Sequence, residues 1–289
     1  MLGLRRRLTS ALLSVPMVLG VVPIAAGGQG VVLQIRPRIG DTLRLRLDQQ
    51  TELTGKRRTT GGEATTTTVV TTMRIYSRAI VQKSLPRATI VRAVTDSVRL
   101  TTTDEHAQDA ANNTERMLQG RSMQLRISPN GTVSVDEASS DTPREIADVV
   151  ALMPGTLPSG PVQVGMTWVR EMPLPGGSKV APGTPAAGWL HAKFRLDSLV
   201  GDGRLAFISL MGEMAADPDA AANSEKGNVP VLEKGSVNGT MVVDRRRGWL
   251  TESRFTILVH SSLRLPGTPD ATMRFETRVT QRMKTADRR

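Results

Sequence analysis

Three histidines are the first candidates for acid–base or metal chemistry in this 289-residue sequence: His106, His191 and His260. His106 follows Asp104 and Glu105 in a polar stretch. His191 and His260 fall on the polar parity of two strand-like stretches, where they could meet as cross-strand neighbours. Neither an H-x-H nor an H-E-x-x-H spacing accompanies them, so solvated strand positions are the expectation. The sequence has no cysteine to serve as a nucleophile, and no serine sits in a G-x-S-x-G turn. Gly201-Asp202-Gly203 reads as a hairpin turn and not a phosphate cradle, because no helical pattern follows it. Asp217 and Asp219 lack the rest of a calcium loop. An enzyme is therefore not expected, and neither a metal nor a cofactor is called for.

Methionine is more suggestive. There are 13, against only 3% aromatic residues. A methionine-lined concave face can repack around variable apolar ligands. Candidate ligand-binding residues are Ile146, Val149, Val150 and Met153 on a predicted helix, with Met211, Met241 and Met273 on predicted strands. The competing account is that methionine fills a core in place of scarce rings.

The elements that must position these residues are mostly strands. Gly235 to Leu265 shows the pattern best. Val237, Met241 and Val243 share one parity, and Phe255, Ile257, Val259 and Leu263 share another after a turn at Gly248. A period of two over this length predicts two half-buried antiparallel strands. Similar alternation predicts strands over Gly40–Thr54, Ala64–Gln82, Arg87–Thr103, Met123–Ile127, Thr132–Asp136, Val164–Met172, Trp189–Val200, Arg204–Met214 and Ala271–Lys284. Arg204–Met214 is apolar on both parities and predicts a strand covered on both sides. In Arg87–Thr103, Arg92 and Asp96 share a parity with Ile90, Val94 and Val98, which predicts either a paired charge or a bulge. Asp104–Gln119 is polar without a firm period and reads as a loop or short exposed helix. Thr142–Met153 is the firmest helix: Thr142 as N-cap, Pro143 at the first position, Glu145 completing a capping box, and an apolar stripe at Ile146, Val149, Val150 and Met153.

Residues 1–28 read as a cleaved signal peptide: Arg5, Arg6 and Arg7, then an apolar run from Leu12 to Ile24, then Ala25-Ala26-Gly27-Gly28. Ser14, Pro16 and Pro23 interrupt the run and shorten it below a membrane span, so no transmembrane span is expected. An exported protein is implied, periplasmic first and extracellular second. Without cysteine it has no disulfides and no lipoprotein-type anchor. The formal charge is +11. It favours acidic partners, although arginine-rich coding alone would also produce it. Nucleic acid is disfavoured, because aromatics for base stacking are absent from the basic strand faces. Residues 29–289 are expected to form a single β-rich domain. Two lobes, 29–155 and 188–289, joined by a Pro-rich connector, are the alternative.

The chain resembles an uncharacterised group of exported bacterial β-rich proteins through Gly165-Met166-Thr167-Trp168, the Pro-rich connector, and Gly239-x-x-x-x-Asp244-x-x-x-Gly248-x-Leu250. More distantly, it is similar to the periplasmic lipoprotein-carrier half-barrels in its signal peptide, long meander and single helix. That likeness implies an apolar cavity between helix and sheet, and no functional residues carry over.

The expected fold is mainly β: a curved antiparallel sheet or open barrel with one packed amphipathic helix. The expected function is non-enzymatic binding of a lipid or other apolar or amphiphilic ligand in a helix-covered concavity of a cell-envelope protein. The alternative is a structural or interaction module that engages an envelope protein or acidic polymer through its basic sheet face.

Overall fold

The computed structural model describes residues 30–57, 65–135, 156–174, 188–216, 231–264 and 272–286. The predicted signal peptide and the predicted helix Thr142–Met153 lie outside them, as do the candidate residues Ile146, Val149, Val150 and Met153.

The described residues form one open antiparallel sheet of 11 strands. In chain order these are β1 (Thr42–Arg57), β2 (Thr65–Leu85), β3 (Ala88–Thr102), β4 (Ser122–Ile127), β5 (Val133–Val135), β6 (Thr167–Leu174), β7 (Gly188–Val200), β8 (Leu205–Ala216), β9 (Val231–Asp244), β10 (Trp249–Arg264) and β11 (Thr272–Thr285). Spatially they run β5-β4-β3-β2-β1-β11-β10-β9-β8-β7-β6. Two meanders therefore join along a seam between β1 and β11, in register from Leu45–Thr285 to Arg57–Met273. The fold is mainly β, as the period-two patterning requires.

The alternation sorts side chains onto two faces. The inner face carries Leu43, Leu45 and Leu47 on β1, Phe275, Val279 and Met283 on β11, and Val237, Met241 and Val243 on β9. Register pairing keeps these in rows across the sheet. The outer face carries arginines interleaved with acids: Arg46 and Arg74 both bind Asp48, Arg78 binds Asp96, and Arg282 binds Glu252. Such part-exposed pairs each add at most about 1 kcal/mol, so the outer face contributes solubility more than stability.

The sheet is strongly curved. The amides of Ile35 and Arg36, adjacent in the chain, donate to Pro129 O and Gly248 O, each at 2.8 Å. Pro129 follows β4 and Gly248 precedes β10, strands five places apart in the sheet order. A flat sheet would separate them by about 24 Å, yet neighbouring residues span only ~3.8 Å. The strand ends must therefore curl round the segment 30–41. Val31 pairs with Val162 in both directions, at 2.8 and 2.9 Å, and Leu157 N donates to Asn130 O. Leu33, Ile35, Leu157 and Val162 fill the closed end between Val81, Val91 and Ile127 from one wing and Leu196, Ile208 and Val243 from the other. At the opposite end, inner-face side chains such as Leu53, Val69 and Phe275 are only half-buried or exposed.

Three expectations are refined. Asp96 has no register partner in β2, because the pairing steps from Tyr76–Ser97 to Ser77–Thr95. This is the bulge, and it turns Asp96 to pair with Arg78. Strand β8 is covered on one face only: Ala206, Ile208 and Leu210 are buried, while Phe207 and Met211 are exposed. The polar stretch after β3 folds as a short 3-10 turn (Glu105–Ala107) running into α1 (Gln108–Leu118). Asp104 caps the turn, its carboxylate accepting from His106 N at 3.0 Å. Helix α1 covers the part of β3 that β4 does not reach, and Glu115 accepts from the Leu100 amide. A free sheet edge is thereby occupied.

Candidate functional site

The closed end holds an apolar cavity of about 160 Å³. Its walls come from both wings and from the plug: Leu45 and Met283 at the seam, Ile127 and Val133 from one wing, Met241 and Trp249 from the other. Ile35, Thr156 and Leu157 contribute from the plugging segments. Leu45, Met241, Val243 and Met283 are there because their strand parity points them inward. The cavity lining is almost wholly apolar, so the space favours hydrocarbon over water. It is smaller than the ~300 Å³ at which small-molecule pockets begin. It therefore accepts one end of an apolar ligand, and the rest must lie elsewhere.

The sequence motifs explain the local architecture. Trp168 stacks on Phe194 at 5.7 Å and donates from Nε1 to Thr156 O at 2.8 Å, which holds one cavity wall in place. Gly165 occupies φ 90°, and its amide donates to Leu196 O. Gly239 leaves room for the Phe255 ring laid across it from β10. Gly248 takes φ 62° and packs directly on the Arg36 backbone, so a side chain there would displace the plug.

Asp244, only 2% exposed, organises the β9–β10 turn. Its carboxylate accepts from Arg246 N and Arg247 N at 3.0 Å, and from Arg204 Nε and Nη2 at 3.0 and 2.8 Å. Burial alone would push its pKa up. The Arg204 hydrogen bonds, the Arg247 and Arg246 amides and the Arg204 charge outweigh burial and hold the carboxyl below the usual carboxylate value. Both motifs that carry the family resemblance are thus strand, turn and packing positions.

A second recess adjoins the cavity. It is polar, about 600 Å³, and lined by Arg38, Asp41, Arg44, Arg246 and Arg247 together with Leu43 and Thr285.

Of the candidate residues, Met241 is 2% exposed and lines the apolar cavity. Met273 lies on the same face at the open end, in a shallow groove with Leu53, Val69 and Phe275. Met211 must be corrected. It is 68% exposed on the outer face of β8, because the inward parity there belongs to Ile208 and Leu210. The structure thus brings none of the three together in one pocket. Met283, on the same strand parity as Met273, lines the cavity. Trp249, Leu45 and the plug residues went unrecognised, since nothing in their local spacing marks a cavity.

His191 and His260 are separated by strands β8 and β9. His191 instead lies 3.3 Å from Glu171 on the exposed face. Among the described residues no group of three His, Asp or Glu side chains is placed to hold a metal ion, and no helix is long and apolar enough to cross a membrane.

No family model matches the chain. No curated protein matches it either. Among solved structures, a structure of lipid–protein interactions in lipovitellin aligns over 86% of this chain and 25% of its own, at 8% identity and a TM-score of 0.44. An outer membrane channel from Pseudomonas putida F1 aligns over 90% of this chain and 98% of its own, at 9% identity and a TM-score of 0.19. This chain thus spans a quarter of the lipovitellin chain it matches. Scores this low do not establish a shared fold with either.

Proposed function

We propose that this chain is a non-enzymatic, exported protein of the cell envelope that holds an apolar or amphiphilic ligand on the inner face of its curved sheet. The observation that carries the reading is the apolar cavity between Met241, Trp249, Leu45 and Ile127, from which an inner face of half-buried apolar side chains runs toward the open end. A core made only for stability would close on itself, because unfilled apolar space costs roughly 1 kcal/mol per missing methyl.

The test is titration with the neutral apolar dye N-phenyl-1-naphthylamine. Enhanced fluorescence is expected with the native protein, and a loss of at least about tenfold in affinity with Val133→Trp, which fills the cavity from the short edge strand β5. Native mass spectrometry of protein recovered from its own envelope should carry an adduct. Absence of both dye binding and any adduct would remove the reading.

A second reading, binding of an acidic polymer on the outer face, draws on the cross-strand row Arg254, Arg282, Asp48, Arg74 and Arg99. Two of its four arginines are already paired with acids. Reversal of Arg274, Arg278 and Arg282 to Glu should leave retention on anionic polysaccharide unchanged if the cavity reading is right.

A further inference from the structure

We propose that the arginine recess beside the apolar cavity is the headgroup site of an anionic amphiphile, such as a phosphate-headed lipid. The inference rests on the apolar-ligand reading above and specifies the ligand's other end.

The first observation is adjacency. Four chain segments pass directly from one space to the other. On β1, Leu45 lines the cavity and Leu43 the recess; on β11, Met283 lines the cavity and Thr285 the recess. Residues two apart on one strand face are about 7 Å apart. Trp249 and Leu250 line the cavity, and Arg246 and Arg247, just before them, line the recess. Ile35 and Arg38 repeat the relation on the plug. The apolar space and the cationic space are therefore neighbours along all four segments, as a tail and a headgroup would need.

The second observation is charge. Arg38, Arg44, Arg246 and Arg247 converge on the recess, and Asp41 is the one carboxylate among its lining residues. Several arginines elsewhere on the sheet sit with acids: Arg46 and Arg74 with Asp48, Arg78 with Asp96, Arg204 with Asp244. The recess arginines make no side-chain hydrogen bond or ion pair within the described residues, and Asp41 receives only the Arg38 amide, at 3.1 Å. Four arginines around one concavity concentrate positive charge there. An anion with several acceptor oxygens balances that charge, and guanidinium forks match phosphate geometry.

The third observation is size. The apolar cavity is too small for a whole ligand, and the recess, at about 600 Å³, leaves ample room for a headgroup.

The experiment compares dodecyl phosphate, dodecanol and inorganic phosphate, each below any micelle threshold, by displacement of the neutral dye and by calorimetry. Native protein is expected to prefer dodecyl phosphate to dodecanol by at least about tenfold, with the preference shrinking at high salt. Arg246→Gln with Arg247→Gln should abolish the preference and leave dodecanol binding unchanged. The main-chain amides that hold Asp244 survive this change, and an unaltered melting midpoint checks the fold. Asp41→Asn, which removes the opposing carboxylate, should tighten dodecyl phosphate severalfold and serves should the double variant not fold. Equal binding of dodecanol and dodecyl phosphate in every variant would overturn the headgroup site and leave the apolar cavity standing. Inorganic phosphate binding as tightly as dodecyl phosphate would overturn the amphiphile in favour of a free-anion site. Binding of none of the three would remove the apolar reading itself.

Discussion

Asp244 shows how one side chain can decide a turn. It is buried, yet it accepts four hydrogen bonds from three arginines. Asp244→Ala would strand the Arg246 and Arg247 amides and is expected to cost about 2 kcal/mol, measured as a lower urea midpoint at unchanged slope. Its depressed pKa also fixes the sign of an acid effect. Asp48 is depressed too, chiefly by the Arg46 hydrogen bond, with burial opposing and Arg74 assisting. Carboxyls with lowered folded pKa values stabilise the fold fully above the ordinary value near pH 4, and that contribution is lost as pH falls through the folded pKa. Stability should therefore drop below about pH 4, and Asp244→Asn should flatten the slope there. Gly239 is a second decisive residue. A methyl at this position would strike the Arg254 carbonyl and the Phe255 ring. Gly239→Ala should destabilise by about 1–3 kcal/mol, read from chemical denaturation.

At the scale of elements, the helix α1 and the bulge at Asp96 solve the same problem. Strand β3 outruns β4, which pairs with it only from Thr89 to Val94. Beyond that point its edge would be open to another chain. The bulge turns the strand, and α1 lies against the remainder with Glu115 on the Leu100 amide. Glu115→Ala should speed hydrogen exchange at Leu100 about tenfold or more with little change at Val91, an amide deeper in the sheet. Uniform acceleration across the strand would instead mean that Glu115 acts only on global stability. The turn elements were plain from residue type. Asn130-Gly131, Asp202-Gly203 and Gly248 all adopt the positive φ or side-chain-capped geometry their sequences imply: Asn130 accepts from Thr132 N at 3.1 Å, Asp202 has φ 56° and Gly248 φ 62°.

For the whole molecule, the plug segment is what converts a long sheet into a vessel with one closed end. Leu33, Ile35, Leu157 and Val162 belong to the same buried cluster as residues from both wings. Leu33→Ala should cost about 2–5 kcal/mol. It should also weaken dye binding, because the plug's next inward residue, Ile35, forms a cavity wall. Unchanged dye affinity in a destabilised Leu33→Ala protein would separate the plug from the site.

The strands, their inward parity and their turns were legible from local alternation, because a pleated backbone sends neighbouring side chains to opposite faces wherever it runs. The pairing of β1 with β11 was not legible, nor was the passage of Ile35 and Arg36 between two distant turns. Period-two patterning says which side of a strand is apolar and nothing about which strand lies beside it. Met211 shows the cost: its sequence neighbourhood is apolar on both parities, and only the packing of one face told the two apart. The arginine recess is the extreme case. Arg38 and Arg44 stand some two hundred residues from Arg246 and Arg247, and their convergence exists only because the curved sheet brings the beginning of β1 and the β9–β10 turn to the same rim.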